Sequence, residues 1–185
     1  MIVLASNSPR RKEILAMAGY DFIVHVSDAD ENVHGLKPYE LVETLSRRKA
    51  EAVAGSYEDA VIIGSDTVVS LDELILGKPK NREEAFSMIR SISGRKHTVY
   101  TGVTILRCHN GERIADTFYS KADVYVREMT DEMIGEYIST DEPYDKAGAY
   151  AIQGIFAKYI EKIDGDYYAV VGFPICEISK RLEFL

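Results

Sequence analysis

The sequence predicts a mixed α/β fold. Short apolar runs that suit buried strands alternate along the chain with segments of helical periodicity. An Asn-Gly pair at residues 110–111 separates two stretches in which polar and apolar residues alternate, which is typical of an antiparallel hairpin. Each element is taken below in chain order.

The chain begins with a strand, a tight turn and a helix. Residues 2–5 are an apolar run, which predicts the strand. Ser8 and Pro9 mark a helix start, because a serine oxygen can cap the helix and proline is already fixed near the helical φ. Ile14 and Leu15 then fall on one apolar helical face.

The first turn of this helix carries cations where acidic side chains are usual. Arg10 and Arg11 follow Pro9 directly, next to unpaired backbone N–H groups and the positive end of the helix dipole. An anion such as phosphate would make this arrangement favourable, since N–H groups, a serine hydroxyl and guanidinium groups could all bind it. The alternative is a solvated basic helix start.

A second helix is predicted from Pro38 to about Gly55. Leu41, Leu45 and Lys49 are spaced by four, so Lys49 shares a stripe with two core-type leucines. A lysine in that position usually extends to solvent at the edge of the core. If the stripe faces a cleft, its ammonium would point into it instead.

Two acidic positions and a lysine stand where strands are predicted to end. A strand predicted from residue 21 leads into an acidic loop that contains Glu31, for which a merely solvated loop is the favoured alternative. The buried run 60–63 leads into Asp66. A carboxylate there is costly unless it has a partner, a metal or a catalytic role, so we expect Asp66 to be functional. A further strand at residues 73–76 is followed by Lys78.

The remaining elements are predicted by capping, turn and periodicity signals. Asn81 and Glu84 form a capping box that opens a helix ending near Gly94. The segments that follow are a hairpin at 96–107 and 113–126, a short helix at 130–140, a structured loop at 142–154, a strand at 155–163 and a helix opened by Pro174.

Composition limits the function. The 185 residues are 46% hydrophobic with a net charge of −8, which suits one globular domain and disfavours a nucleic-acid surface. The two cysteines and four histidines show no metal-ligand spacing, and no apolar run could span a membrane. We therefore expect a cytoplasmic protein with no nucleic-acid or membrane partner.

The remaining candidates suit a polyphosphate ligand. Cations and hydroxyls would bind phosphate oxygens, and carboxylates would hold a divalent metal or orient water. Signatures of other site types, namely Walker A, GxGxxG, HExxH and GxSxG sequences, do not occur. The donors are Ser8, Arg10, Arg11, Lys49 and Lys78, and the carboxylates are Asp30, Glu31 and Asp66.

The sequence resembles the Maf (septum formation inhibitor) proteins over essentially all 185 residues. Eight segments occur in that family's order and approximate spacing: LASNSPRRKEIL, DADE, RRKA, IIGSDTVV, LILGKP, SGRKHTVYTGV, DEPYDKAGAYAIQG and GDYYAVVGFP. The resemblance implies a single domain over residues 1–185. It also implies an inosine-triphosphatase-like (Maf/Ham1) fold, with an elongated mixed sheet, flanking helices and two lobes around a cleft.

The resemblance further implies a nucleoside triphosphate pyrophosphatase that uses a divalent cation, Mg²⁺ or Mn²⁺. Asp66 matches the family's catalytic proton acceptor and a metal ligand, and Glu31 matches a contributor to the metal site. The family's phosphate-binding positions correspond to Ser8, Arg11, Lys49 and Lys78, and we expect Arg10 at the helix start to bind phosphate with them. Family members are often dimeric, so a homodimer is implied, although no segment marks an interface.

Three positions divide the family by substrate. The branch that acts on dTTP and UTP has Arg, Thr and Gln where this chain has Arg10, Thr67 and Gln153, whereas the 7-methyl-GTP branch has Trp, Gln and Glu. A neutral amide both donates and accepts, which suits a uracil or thymine edge. Two alternatives stay open: a regulator of cell division with little turnover, and a pyrophosphatase for 7-methyl-GTP or another non-canonical purine nucleotide.

Overall fold

The computed structural model describes residues 1–184 and confirms the mixed α/β fold. A seven-stranded mixed sheet has the order β2-β1-β3-β5-β6-β7, with β4 paired to β3. The strands are β1 (Ile2–Leu4), β2 (Phe22–Val24), β3 (Ala60–Leu71), β4 (Leu74–Leu76), β5 (Lys96–His109), β6 (Glu112–Val126) and β7 (Ile160–Gly165). The helices are α1 (Pro9–Met17), α2 (Pro38–Ala54), α3 (Arg82–Ile92), α4 (Asp131–Tyr137), α5 (Tyr167–Val171) and α6 (Ile175–Leu182).

The first three strands of the sheet are parallel. Ile2 of β1 is opposite Phe22 on one side and Val61 on the other. Val3 and Leu4 are fully buried, as expected for a parallel strand covered on both faces.

The predicted hairpin joins β5 and β6. Its two connecting residues have positive φ, 48° at Asn110 and 83° at Gly111, and a two-residue connection of this kind joins antiparallel strands. β7 then pairs antiparallel with β6.

Two glycines let α2 pack directly against the sheet. A Cβ on Gly64 of β3 would lie 2.2 Å from the carbonyl oxygen of Ser46, and a Cβ on Gly102 of β5 would lie 2.2 Å from that of Val42. The Ser46 and Thr104 hydroxyls are 3.0 Å apart in the same contact. This close packing fixes the position of Lys49, which lies one turn after Ser46 in α2.

The prediction that a strand ends near Asp66 is wrong. β3 continues through Asp66 to Leu71, and Asp66 is 9% exposed within it. The sequence suggested a break because a buried carboxylate is costly in a strand. In the structure an ion pair with Lys49 compensates for that cost.

The predicted strand at 155–163 is only partly correct. Residues Ile155–Tyr159 form a 3-10 turn, and the strand begins at Ile160. The short helix α5 was not predicted, and Pro174 is the residue before α6 and not its first helical residue. Local apolar periodicity does not separate these short elements.

The chain divides into two compact units. Among the described residues, the first contains residues 1–66, 101–120 and those from 172 onward, and the second contains residues 67–100 and 121–171. Among residues 1–184, no helix combines the length and the apolar character needed to cross a membrane.

Candidate active site

Lys49 lies between two carboxylates of the first unit. Its Nζ is 2.6 Å from Oδ1 of Asp66 and 2.9 Å from Oε1 of Glu31. The side chains of Lys49 and Asp66 are 13% and 12% exposed, whereas that of Glu31 is 62% exposed. The lysine therefore does not extend alone to solvent but joins a buried carboxylate to an exposed one.

The positions of α2, β3 and the loop after β2 explain why Lys49, Asp66 and Glu31 are in contact. Lys49 projects from the sheet-facing side of α2, next to the buried Ala50. Asp66 belongs to β3, against which α2 packs at Gly64. Glu31 lies in the acidic loop after β2, where Arg48 of α2 also donates to the carbonyl oxygen of Asp30 at 3.0 Å.

Arg11 is held by three acceptors of the first unit. Its Nε donates to the carbonyl oxygen of Gly172 at 3.0 Å. Its NH1 donates to the carbonyl oxygen of Ser65 at 2.7 Å and to Oγ of Ser6 at 3.2 Å. The guanidinium thus links α1 to β3 and to the turn before Phe173, a role that the sequence did not predict.

The charges around Arg11 act in opposite directions. Burial lowers the pKa of Arg11 from its ordinary value, and the carboxylates of Asp66 and Glu31 oppose that change. Arginine keeps its proton in proteins, so the cation is retained. Arg11 therefore supplies a fixed positive charge beside the two carboxylates that contact Lys49.

Ser8 and Arg10 lie at the predicted helix start. Ser8 is the N-cap of α1 and Pro9 is in its first turn, as predicted, but the Ser8 side chain makes no capping hydrogen bond within the part of the chain described. Its backbone N–H donates to Oγ of Ser6 at 3.2 Å. Arg10 is half-buried in the same turn. The hydroxyl of Ser8 therefore lies at the N-terminus of α1, next to Arg10.

The other predicted site residues belong to the second unit. Thr67 follows Asp66 in β3 and is half-buried, while Lys78 and Gln153 are exposed in loops. The loop of Lys78 is fixed by its neighbour, because the carbonyl oxygen of Gly77 accepts the N–H of Gly148 at 3.0 Å.

Glu142 closes the loop that carries Gln153, and sequence reasoning missed it. Its carboxylate accepts the N–H of Ile155 at 2.7 Å and that of Phe156 at 3.1 Å. It also accepts the hydroxyl of Tyr137 at 3.1 Å. A glutamate beside Pro143 gives no local signal of a role, because its partners are up to fourteen residues away.

The donor set fits a divalent cation that is shared with a substrate. Asp66 and Glu31 both contact the single ammonium of Lys49, so their oxygens already face one positive centre. Within residues 1–184, no group of three His, Cys, Asp or Glu side chains could hold a metal alone. Mg²⁺ is often bound by one or two carboxylates together with substrate phosphates and water, which this pair allows.

Comparisons with known proteins place the chain in a family. The model of the family described as Maf-like protein matches residues 1–185. A protein of Thermoanaerobacter sp. (strain X514) named dTTP/UTP pyrophosphatase is 48% identical over 183 residues, which is 98% of this chain and 95% of that one. A protein of the same name from Lachnoclostridium phytofermentans is 47% identical, over 98% of this chain and 93% of that one.

A solved structure is also similar. The Ham1 protein of Staphylococcus aureus is 15% identical, with a TM-score of 0.46 over 68% of this chain and 71% of that chain. The family match over the whole length and the identity to the two bacterial relatives confirm the resemblance found in the sequence: the chain belongs to the Maf-like protein family.

Proposed function

We propose that this chain is a nucleoside triphosphate pyrophosphatase that hydrolyses dTTP and UTP to the monophosphate and pyrophosphate. The observation that carries the chemistry is the pair of carboxylates, Asp66 and Glu31, on the ammonium of Lys49. The names of relatives that are 48% and 47% identical support the substrate class. We treat residues 1–185 as one catalytic domain, since the family model spans them all.

Asp66 is the proposed proton acceptor. The ammonium of Lys49 holds one of its oxygens at 2.6 Å, which fixes the orientation of the carboxylate. The second oxygen can orient and deprotonate the water that attacks the α-phosphorus. Such a base must be placed accurately, and the close packing of α2 against β3 supports this proposal.

The cations are the proposed phosphate-binding set. Arg10 and Ser8 offer a guanidinium and a hydroxyl at the N-terminus of α1. Lys49 and Lys78 would bind further phosphate oxygens. The three acceptors of Arg11 give it a second role, which is to hold the strand that carries Asp66.

Asp66 and Glu31 are the proposed ligands of Mg²⁺ or Mn²⁺. When bound, the metal would neutralise charge on the triphosphate and on the departing pyrophosphate. The exposure of Glu31 leaves room for this ligand to exchange its lysine contact for the metal.

Three residues are the proposed basis of selectivity for pyrimidine nucleotides. Gln153 would donate to and accept from the uracil or thymine edge, with Arg10 and Thr67 as the accompanying positions.

The two free cysteines suit the reducing cytoplasm, which is the proposed place of action. The homodimer stays a prediction, and sedimentation analysis would test it.

The test is pyrophosphate release with Mg²⁺ or Mn²⁺ from dTTP, UTP, CTP, GTP, ITP and 7-methyl-GTP, with a chelator control. We expect dTTP and UTP to be preferred and the chelator to stop release. Preference for a purine nucleotide would support the pyrophosphatase reaction but overturn the role of Gln153 in selecting pyrimidines. No release from any nucleotide would overturn the enzyme proposal and favour a nucleotide-binding regulator.

A further inference from the structure

The loop between α4 and β7 is closed into a ring by one carboxylate. Glu142 near its start accepts backbone N–H groups from Ile155 and Phe156 at its end. Hydrogen bonds to an ionised acceptor are stronger than neutral ones, and two adjacent N–H groups fix the carboxylate in one plane. The ring therefore determines the path of the residues just before Ile155.

Gly154 leaves room for the Glu142 carboxylate in this closure. A Cβ at this position would lie 2.2 Å from Oε2 and 2.6 Å from Cδ of Glu142. The φ of Gly154 is 175°, which any residue can adopt, so the requirement is for space and not for backbone freedom. The backbone of the residue that follows Gln153 thus rests directly on the Glu142 carboxylate.

Further bonds hold the rest of the loop inside the second unit. The Tyr137 hydroxyl donates to the carbonyl oxygen of Ala149 at 3.2 Å as well as to Glu142. The N–H of Gly148 donates to the carbonyl oxygen of Gly77 at 3.0 Å. Gln153 itself stays exposed, and the chain that carries it is held at Ala149 before it and at Ile155 after it.

We propose that Glu142 is a positioning residue for nucleobase selection, which sets the direction of the Gln153 amide through the closed ring. This inference rests on the proposed function, in which Gln153 reads the pyrimidine edge. Glu142 does not touch substrate in this proposal. Glu142 instead limits the conformational freedom of the Gln153 side chain and sets its direction, because this amide must donate and accept hydrogen bonds at defined positions of the base.

Three variants and one control separate positioning from general stability. Glu142→Ala removes the carboxylate that accepts both backbone N–H groups, and Glu142→Gln keeps an acceptor for only one of the two. Gly154→Ala disturbs the same contact from the opposite side without removing the carboxylate. The control is Asp141→Ala, which removes the neighbouring exposed carboxylate of the same loop.

The expected result is a change in selectivity. For Glu142→Ala, KM for dTTP should rise by about tenfold, the effect of losing one hydrogen bond between the Gln153 amide and the base, while kcat changes far less. The ratio of kcat/KM for dTTP to that for GTP should fall by the same factor. Glu142→Gln should lie in between, Gly154→Ala should follow Glu142→Ala, and Asp141→Ala should match the parent protein.

Two results would overturn the positioning role. One is an equal loss of kcat/KM for dTTP and GTP, which a general loss of structure would produce. The other is an unchanged ratio in both Glu142→Ala and Gly154→Ala. Thermal unfolding of every variant identifies those that are folded at the assay temperature. If Glu142→Ala is unfolded at that temperature, the selectivity ratio of Gly154→Ala decides whether the positioning role holds.

A binding measurement distinguishes failure of this inference from failure of the proposed function. Calorimetry with the non-hydrolysable analogues α,β-imido-dUTP and α,β-imido-GTP needs no turnover. If the parent protein binds the uracil analogue selectively but releases no pyrophosphate, the function fails and the effect of Glu142→Ala on that selectivity still decides the inference. If the parent protein binds neither analogue, both are overturned.

Discussion

The Nζ of Lys49 lies 2.6 Å from Oδ1 of Asp66, and this contact joins the middle of α2 to the middle of β3. Both side chains are largely buried, so the pair is screened less by solvent than a surface salt bridge. One contact thus compensates for the burial of a strand carboxylate and orients the proposed proton acceptor.

Replacing Asp66 by Asn should abolish turnover while the protein still folds. The amide keeps an oxygen for Lys49 but cannot take a proton from water. Pyrophosphate release from dTTP should fall by about two to four orders of magnitude, and circular dichroism should be unchanged. Turnover near that of the parent protein would remove Asp66 from the role of proton acceptor.

Replacing Lys49 by Met should destabilise the protein because Asp66 loses its partner. The free energy of unfolding should fall by about 1–3 kcal/mol, the cost of leaving a largely buried polar group unsatisfied. The double variant Lys49→Met with Asp66→Asn should recover part of that loss, since it buries no unpaired charge. Denaturant titration of the single and the double variant measures the difference in their free energies of unfolding. Equal values would contradict the argument that the unpaired Asp66 charge causes the loss.

Arg11 and Arg10 are adjacent in sequence but should respond differently to alanine substitution. Arg11→Ala removes the bonds to Gly172, Ser65 and Ser6, among others, and should lower the free energy of unfolding by about 2 kcal/mol as well as raise KM. Arg10→Ala should raise KM with a smaller stability loss of about 0.5 kcal/mol, because Arg10 is only half-buried. A stability loss of the same size in both variants would show that the hydrogen bonds of Arg11 do not account for the loss in Arg11→Ala.

A methyl group on Gly64 should push α2 away from the sheet. Its Cβ would lie 2.2 Å from the Ser46 carbonyl oxygen and 2.8 Å from the N of Ala50. We expect Gly64→Ala to cost about 1–3 kcal/mol and to reduce turnover, because α2 carries Lys49. Gly55→Ala, at the end of the same helix with nothing within 4 Å of its Cβ, is the matched control and should be nearly neutral.

His97 should make the protein less stable in acid. Burial lowers the pKa of His97 from 6.5 to about 4, and the Asp123 charge opposes this only in part. The unfolded chain therefore binds a proton below pH 6.5 that the folded protein takes up only near pH 4, so stability falls as pH decreases through that range.

The His97 contribution is measured by comparing unfolding at pH 7.5 and 4.5. The stability lost by the parent protein should exceed that lost by His97→Gln by about 2 kcal/mol. The exposed His34 provides the control substitution, His34→Gln, which should leave the pH dependence as it is. A parent-like pH dependence in His97→Gln would show that other groups determine acid sensitivity.

Local signals in the sequence determined most of the elements. The predictions from the prolines at the starts of α1 and α2 and from the Asn110-Gly111 turn are confirmed, because each of these residues acts on its own neighbours through a fixed φ or a positive φ. The eight family segments also determined the family, which the full-length match confirms.

The partners of the candidate site residues were decided only by the tertiary structure. Arg11 meets the carbonyl of Gly172, 161 positions away, and Asp66 stays within β3 because Lys49 reaches it from α2. Glu142 closes its loop on Ile155 without any local signal. The sequence shows which charged residues are present and how they are spaced. The energy of a buried charge, however, depends on which distant group the fold places beside it.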